Sequence, residues 1–167
     1  MSFKEVNIKN FSFEPFKRIG DDWMLITAGD EQKYNTMTAS WGGLGVLWNK
    51  NVTFSFVRPQ RYTFEFLTKS AYYTLSFYDE KYRKALVTCG NKSGRNSNKI
   101  KEAGLTPSFS EKAPYFKEAN IVFICKKLHE QFIDPSCFVD SSIESHYPEK
   151  DYHKIFVGEI VKVLNNN

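Results

Sequence analysis

The residues with the clearest chemical potential lie in two cationic segments. In "FVRPQRYTFEF" a strand pattern ends at Val57, and Pro59 stands where a helix could begin, since its missing N–H costs nothing there. Free N–H groups at a helix start attract anions. Arg58 and Arg61 add fixed charge there, and Thr63 a hydroxyl, a set suited to a phosphate monoester. The same arginines could instead solvate a surface turn. The second segment, "CGNKSGRNSNK", carries Lys92, Arg95 and Lys99 with Ser93 and Ser97, and Gly90 and Gly94 keep its backbone permissive. Alone it reads as a solvated loop; together with the first it suggests two cationic arms around one ligand.

A third stretch, "TMTASWGGLGVLWNK", is dense in glycine and tryptophan. Its GGxG is no dinucleotide fingerprint or P-loop, because no helix follows and no GK[ST] closes it. It reads as a sharp barrel corner or as the wall of a site. His146, Asp151 and His153 lie close in "SHYPEKDYHK" but lack the HxH or HxxxH spacing of a metal site, so no metal is expected. No GxSxG elbow is present.

The elements that must hold these residues are mostly strands. "NVTFSFV" alternates Val52, Phe54 and Phe56 with Thr53 and Ser55, the period of a half-buried strand. "YYTLSF" alternates likewise. "YNTMTASW" sets Asn35, Met37, Ala39 and Trp41 against Thr36, Thr38 and Ser40. "WMLITAG" and "NIVFICKKL" add two strands, the second apolar on both faces and therefore central. "HKIFVGEIVKVL" is a long strand in which Gly158 marks a bulge or a close approach. Helices are short: one over "DEKYRKALVTCG" capped by Asp79, one over "SNKIKEAG" capped by Ser97 and stopped by Gly104, and one from Pro59. Helices long enough for parallel crossovers are missing, so the expectation is an antiparallel barrel with helical decoration.

Length and composition fit this picture. The 167 residues suit one domain, expected over 1–167, and the charge of +4 is scattered rather than gathered into a nucleic-acid stripe. Cys89, Cys125 and Cys137 are too widely spaced for a zinc site. No signal peptide or membrane-span window is evident, so a cytoplasmic address without membrane association is expected.

In order along the chain, "NTMTASWGGLGVLW", "VRPQRYTFEFL", "YTLSF", "YRKALVTCGNKSGR" and "DYHKIFVGEI" resemble the flavin reductase-like proteins of the FMN-binding split-barrel class, including the flavoredoxins, over roughly Asp22 to Leu164. The resemblance implies a mainly β fold, a six-stranded antiparallel Greek-key split barrel with a few short helices. It also implies a homodimer with FMN near the subunit interface. By motif, Asn35, Met37, Thr38, Ala39, Ser40 and Trp41 would line the flavin ring. Arg58, Arg61, Tyr62 and Thr63 would meet the phosphate, while Ser93, Gly94, Arg95 and Lys99 would close over it. His153 would lie near the ring or substrate. The family pattern favours an acidic residue after "SGR", where this chain has Asn96.

The implied activity is hydride transfer from NADH or NADPH to the flavin, then electron transfer to an acceptor, which could be a protein. Such chemistry belongs to the cofactor and requires no catalytic triad. Three other readings stand beside it: an oxidase of the pyridoxamine-phosphate type, a non-catalytic flavin-storage or electron-transfer protein, and a nucleic-acid-binding barrel. The last would bind single strands with strong salt dependence and carry no chromophore.

Overall fold

Each of the six strand-like segments forms a strand in the computed structural model, which describes residues 3–166. In chain order the elements are β1 (Lys4–Val6), β2 (Met24–Gly29), β3 (Tyr34–Ala39), β4 (Gly42–Leu47), β5 (Lys50–Val57), α1 (Tyr62–Lys69), β6 (Tyr72–Phe77), α2 (Arg83–Asn91), α3 (Lys99–Glu102), β7 (Pro107–Ser108), β8 (Tyr115–Phe116), β9 (Ile121–Phe132) and β10 (Lys154–Asn165). The main sheet is antiparallel in the order β3-β2-β6-β9-β10-β5-β4. The start of β10 pairs with β5 and its end with β1, from Lys154↔Val57 to Asn165↔Lys4. β7 and β8 form a separate ribbon. The fold is therefore an antiparallel split barrel of the expected class, with more strands than the six expected.

One added strand, β4, lies in the glycine-rich stretch. Gly42 pairs with Ser55 there, and a Cβ on Gly42 would lie 2.9 Å from the Phe54 carbonyl oxygen. Gly43 and Gly45 face the Phe54 ring, at 3.8 and 3.7 Å from where a Cβ would sit. The corner is thus confined to Ser40–Trp41, and the glycines serve strand packing. β3 and β4 end the sheet at opposite edges, so the barrel is split between two strands that adjoin in sequence.

Burial follows the expected pattern in β9, where Ile121–Cys125 is buried throughout between β6 and β10. In β5 it does not. Thr53 and Ser55 are fully buried, whereas Phe54 and Phe56 are only half-buried. The reason is Tyr73, which enters the core from β6 and brings its hydroxyl to 2.9 Å from the Thr53 hydroxyl. A polar side chain there satisfies a group that would otherwise be buried without a partner. Gly158 makes the space: a Cβ at that position would lie 2.4 Å from the Tyr73 hydroxyl oxygen. The β9–β10 register also shifts between Val157 and Gly158, so this glycine marks both a bulge and a close approach.

The helix starts differ from the sequence reading. α1 begins at Tyr62 because Arg58–Arg61 first makes a turn, with Arg61 N–H donating to the Arg58 carbonyl at 3.1 Å. Asp79 precedes a 3-10 turn over Glu80–Tyr82 that leads into α2, but its carboxylate accepts from Asn120 Nδ2 at 2.8 Å and makes no capping bond to that turn. α3 is capped by Asn98, whose side chain accepts from Lys101 N–H, and Ser97 plays no such part. Gly104, at φ +68°, follows α3 as expected. α2 buries Ala85, Leu86 and Cys89, and the Thr38 hydroxyl donates to the Leu86 carbonyl at 2.5 Å, fixing α2 against β3. Among the described residues no helix is long and apolar enough to cross a membrane.

Candidate functional site

The last pair between β5 and β10 is Val57↔Lys154, so Arg58 and His153 emerge side by side where the paired strands end. The end of β3 and the Ser40–Trp41 corner face them. Together they enclose a cavity of about 240 Å³ lined by Met37, Thr38, Ala39, Ser40, Trp41, Phe56, Arg58, Arg61 and His153. A second compartment of about 170 Å³ shares Met37 and Arg61. It continues between the start of α1 (Gln60, Tyr62, Thr63) and the end of α2 with its following loop (Gly90, Asn91, Lys92, Ser93), with Lys99 also lining it. Wider grooves of about 440 and 490 Å³ lie beside the far end of α1 and between β1 and β10. Neither contains any of the residues expected to carry chemistry.

The first compartment is aromatic, and one of its two arginines, Arg58, is paired. Arg58 Nη1 pairs with Asp151 at 2.5 Å, its Nη2 donates to the His146 carbonyl at 2.7 Å, and its guanidinium lies 5.0 Å from the Tyr147 ring centre. Gln60 also donates to Asp151. The Arg58 hydrogen bond in particular holds the Asp151 carboxyl below its usual range. His153 is buried, with its ring 5.2 Å from Trp41 and its Nδ1 2.9 Å from the Tyr147 hydroxyl. Burial first, then the nearby Arg58 charge, lowers its pKa to about 4, so the imidazole is neutral at pH 7. Trp41 remains 44% exposed and marks the mouth.

The second compartment is cationic. Lys99 is only 4% exposed, and its ammonium donates to the carbonyls of Cys89 and Lys92, each at 3.1 Å. Arg61 Nη1 donates to the Gly90 carbonyl at 3.0 Å. Among the described residues neither cation has a carboxylate partner. Burial lowers the Lys99 pKa to about 8, with Arg61 adding to the fall. Burial and Arg58 lower that of Arg61. Among the described residues no side chain caps α1; the Phe64 N–H donates to the Arg61 carbonyl at 2.9 Å, which leaves the Tyr62 and Thr63 N–H groups as further donors. A buried ammonium and a half-buried guanidinium thus stand beside the start of α1, an arrangement suited to an anion.

Twelve of the fifteen residues expected at the site line these two compartments; Asn35, Gly94 and Arg95 do not. Asn35 Nδ2 donates to the Thr63 hydroxyl at 2.7 Å, joining β3 to α1 beneath the cavity. Gly94 packs against Asn35, and Arg95 turns to pair with Glu65. The sequence reading missed Phe56, assigned to the core by alternation, and Tyr147, which carries no motif. It weighed Asp151 only as a metal ligand and set that aside, whereas the fold brings it from 93 residues away to pair with Arg58.

Solved structures share the architecture. An FMN-binding domain of a flavin reductases-like enzyme from Shewanella baltica aligns with TM-score 0.71 and 15% identity, over 99% of this chain and 78% of that one. Flavoredoxin of Desulfovibrio vulgaris aligns with TM-score 0.67 and 24% identity, over 87% and 69%. A candidate flavin reductase with a split-barrel domain from Shewanella frigidimarina gives TM-score 0.66 and 21% identity, over 85% of this chain but only 65% of its own length. Among curated proteins no sequence matches significantly. The flavin reductase like domain profile matches residues 16–167, nearly the whole chain, and the protein belongs to that family.

Proposed function

We propose that the protein is an FMN-binding flavoprotein that acts as an NAD(P)H-dependent flavin reductase. The observation that carries this reading is the adjacency of two compartments: an aromatic one in which Arg58 is paired with Asp151, and a cationic one where Lys99 and Arg61 have no carboxylate partners among the described residues. A planar, uncharged ring that ends in a phosphate matches both.

In this reading Arg61, Lys99 and the first N–H groups of α1 hold the phosphate, with the Thr63 and Ser93 hydroxyls beside them. β3 is an edge strand, so one side of its backbone is free of sheet partners and offers N–H and C=O groups to the ring edge. Met37, Phe56 and Trp41 supply apolar walls that keep water from the ring. His153, held neutral and oriented by Tyr147, presents an uncharged polar group to the same space. Bound FMN would supply the redox chemistry, accepting hydride at N5 from NADH or NADPH and passing electrons to an acceptor. The structural relatives include an FMN-binding flavin reductases-like domain and a flavoredoxin, which supports the class. A homodimer belongs to the proposal as well, because Val46 and Trp48, in and just after the edge strand β4, are exposed apolar surface that a second copy would cover.

The second reading is a non-catalytic carrier of FMN and electrons, which the same two compartments serve equally. The visible spectrum of the purified protein, recorded before and after anaerobic NADH or NADPH, separates the two. An oxidised-flavin spectrum that bleaches supports the reductase. One that persists favours the carrier, and a protein that takes up no FMN overturns both.

A further inference from the structure

The loop after α2 is fastened to the rest of the fold at both ends. At one end Lys92 pairs with Glu102, and the Lys92 carbonyl accepts from Lys99. At the other, Arg95 reaches back over the first turn of α1. Its Nη1 donates to the Gln60 carbonyl at 3.1 Å, its Nη2 pairs with Glu65, and its guanidinium lies 4.7 Å from the Tyr62 ring centre. Between these anchors Gly94 is pressed against the barrel, since a Cβ there would lie 2.2 Å from Asn35 Oδ1 and 3.2 Å from the Tyr62 ring. Lys92 and Ser93 thus line the cationic compartment, and Gly94 and Arg95 fasten that stretch to the start of α1 from behind.

We infer that the Arg95–Glu65 pair is a specificity latch that makes the site select a phosphate monoester, FMN, over a dinucleotide, FAD. The inference rests on the flavin reading above. A monoester ends at its phosphate, so a wall directly behind it costs nothing. A dinucleotide continues through a second phosphate to adenosine, and its path crosses the loop that Arg95 holds down. The compartment, about 170 Å³, has room for a phosphate and part of its chain. On this inference a larger ligand pushes Lys92–Ser93 outward, and Arg95 then gives up Glu65, the Gln60 carbonyl and the Tyr62 ring. Glu65 lines neither compartment, so its removal tests the latch without touching the proposed ligand contacts.

The test is fluorescence titration of the full chain with FMN, FAD and riboflavin, using wild type, Glu65→Gln and Arg95→Met. Wild type is expected to bind FMN at least about tenfold more tightly than FAD. Each variant should narrow that ratio by about three- to fivefold, the scale of an exposed ion pair, through tighter FAD binding while riboflavin is unmoved. Equal binding of FMN and FAD by wild type overturns the latch. So does a ratio that neither variant moves, or one that narrows only because FMN is lost. If none of the three flavins binds, the flavin reading itself fails, and the latch falls with it.

Discussion

The Tyr147 hydroxyl lies 2.9 Å from His153 Nδ1, with the two rings 77° apart, at the point where β10 leaves the site. Because burial and Arg58 lower the His153 pKa to about 4, the native imidazole holds fewer protons than the unfolded one between pH 6.5 and about 4. The stability this confers is complete above pH 6.5 and is lost as pH falls through that window. Urea denaturation at a series of pH values should show the loss, and His153→Gln should flatten it. A profile identical in wild type and variant would show that His153 is not the titrating group.

Lys99 gives the opposite dependence for ligand binding. With its pKa near 8, the ammonium loses its charge as pH rises above 8 and ceases to attract an anion. FMN affinity should hold steady from pH 7 to 8 and then fall, by up to about tenfold per unit, the limit for loss of one proton. Riboflavin, without a phosphate, should show no such fall. Titration of both flavins from pH 7 to 9.5, with Lys99→Met as control, checks this.

Arg58 and Arg61 are three residues apart yet should behave differently. Arg61→Gln removes a charge that has no carboxylate partner among the described residues and should weaken FMN by about 1.5–3 kcal/mol, the range for a hydrogen bond to a charged group, while sparing riboflavin. Arg58→Met breaks the pair with Asp151 and disturbs the ring compartment, so FMN and riboflavin should lose affinity together. Isothermal titration of both variants with both flavins distinguishes the roles. A selective FMN loss in Arg58→Met would return Arg58 to the phosphate.

Gly158→Ala should destabilise the barrel by about 1–3 kcal/mol, the cost of an inserted methyl in a packed core, because a Cβ there would lie 2.4 Å from the hydroxyl oxygen of the buried Tyr73. Tyr73→Phe should cost about 1–3 kcal/mol by leaving the buried Thr53 hydroxyl without this partner. In the double variant the methyl would still lie 2.8 Å from the ring carbon that bore the hydroxyl, so relief should be partial. Thermal melts of the three variants measure this directly.

What could be read in advance divides along physical lines. Strand periodicity located β2, β3, β5, β6, β9 and β10, since alternation in a half-buried sheet is a local property of the chain. It failed on which face of β5 is inner, because that depends on Tyr73 arriving from another strand. The cationic arms were legible as residue types, and Arg61, Thr63, Ser93 and Lys99 do meet. Pairing was not legible: Asp151 reaches Arg58, and Glu65 reaches Arg95, only through tertiary contact. Short helix starts were misplaced for a related reason. Ser97 and Asn98 are equally good caps by composition, and the fold chose Asn98.

The split between β3 and β4 has a mechanical consequence. Every other neighbouring pair in the main sheet is held by a hydrogen-bonded ladder, whereas among the described residues none joins β3 to β4, which the chain connects through Ser40–Trp41. Parting the seam would break no ladder, and Trp41 stands at its hinge. The mouth of the cavity thus lies on the seam where no strand ladder has to break for the wall to open. A bulky planar guest could enter there by spreading the wall and leave the remaining strands at rest.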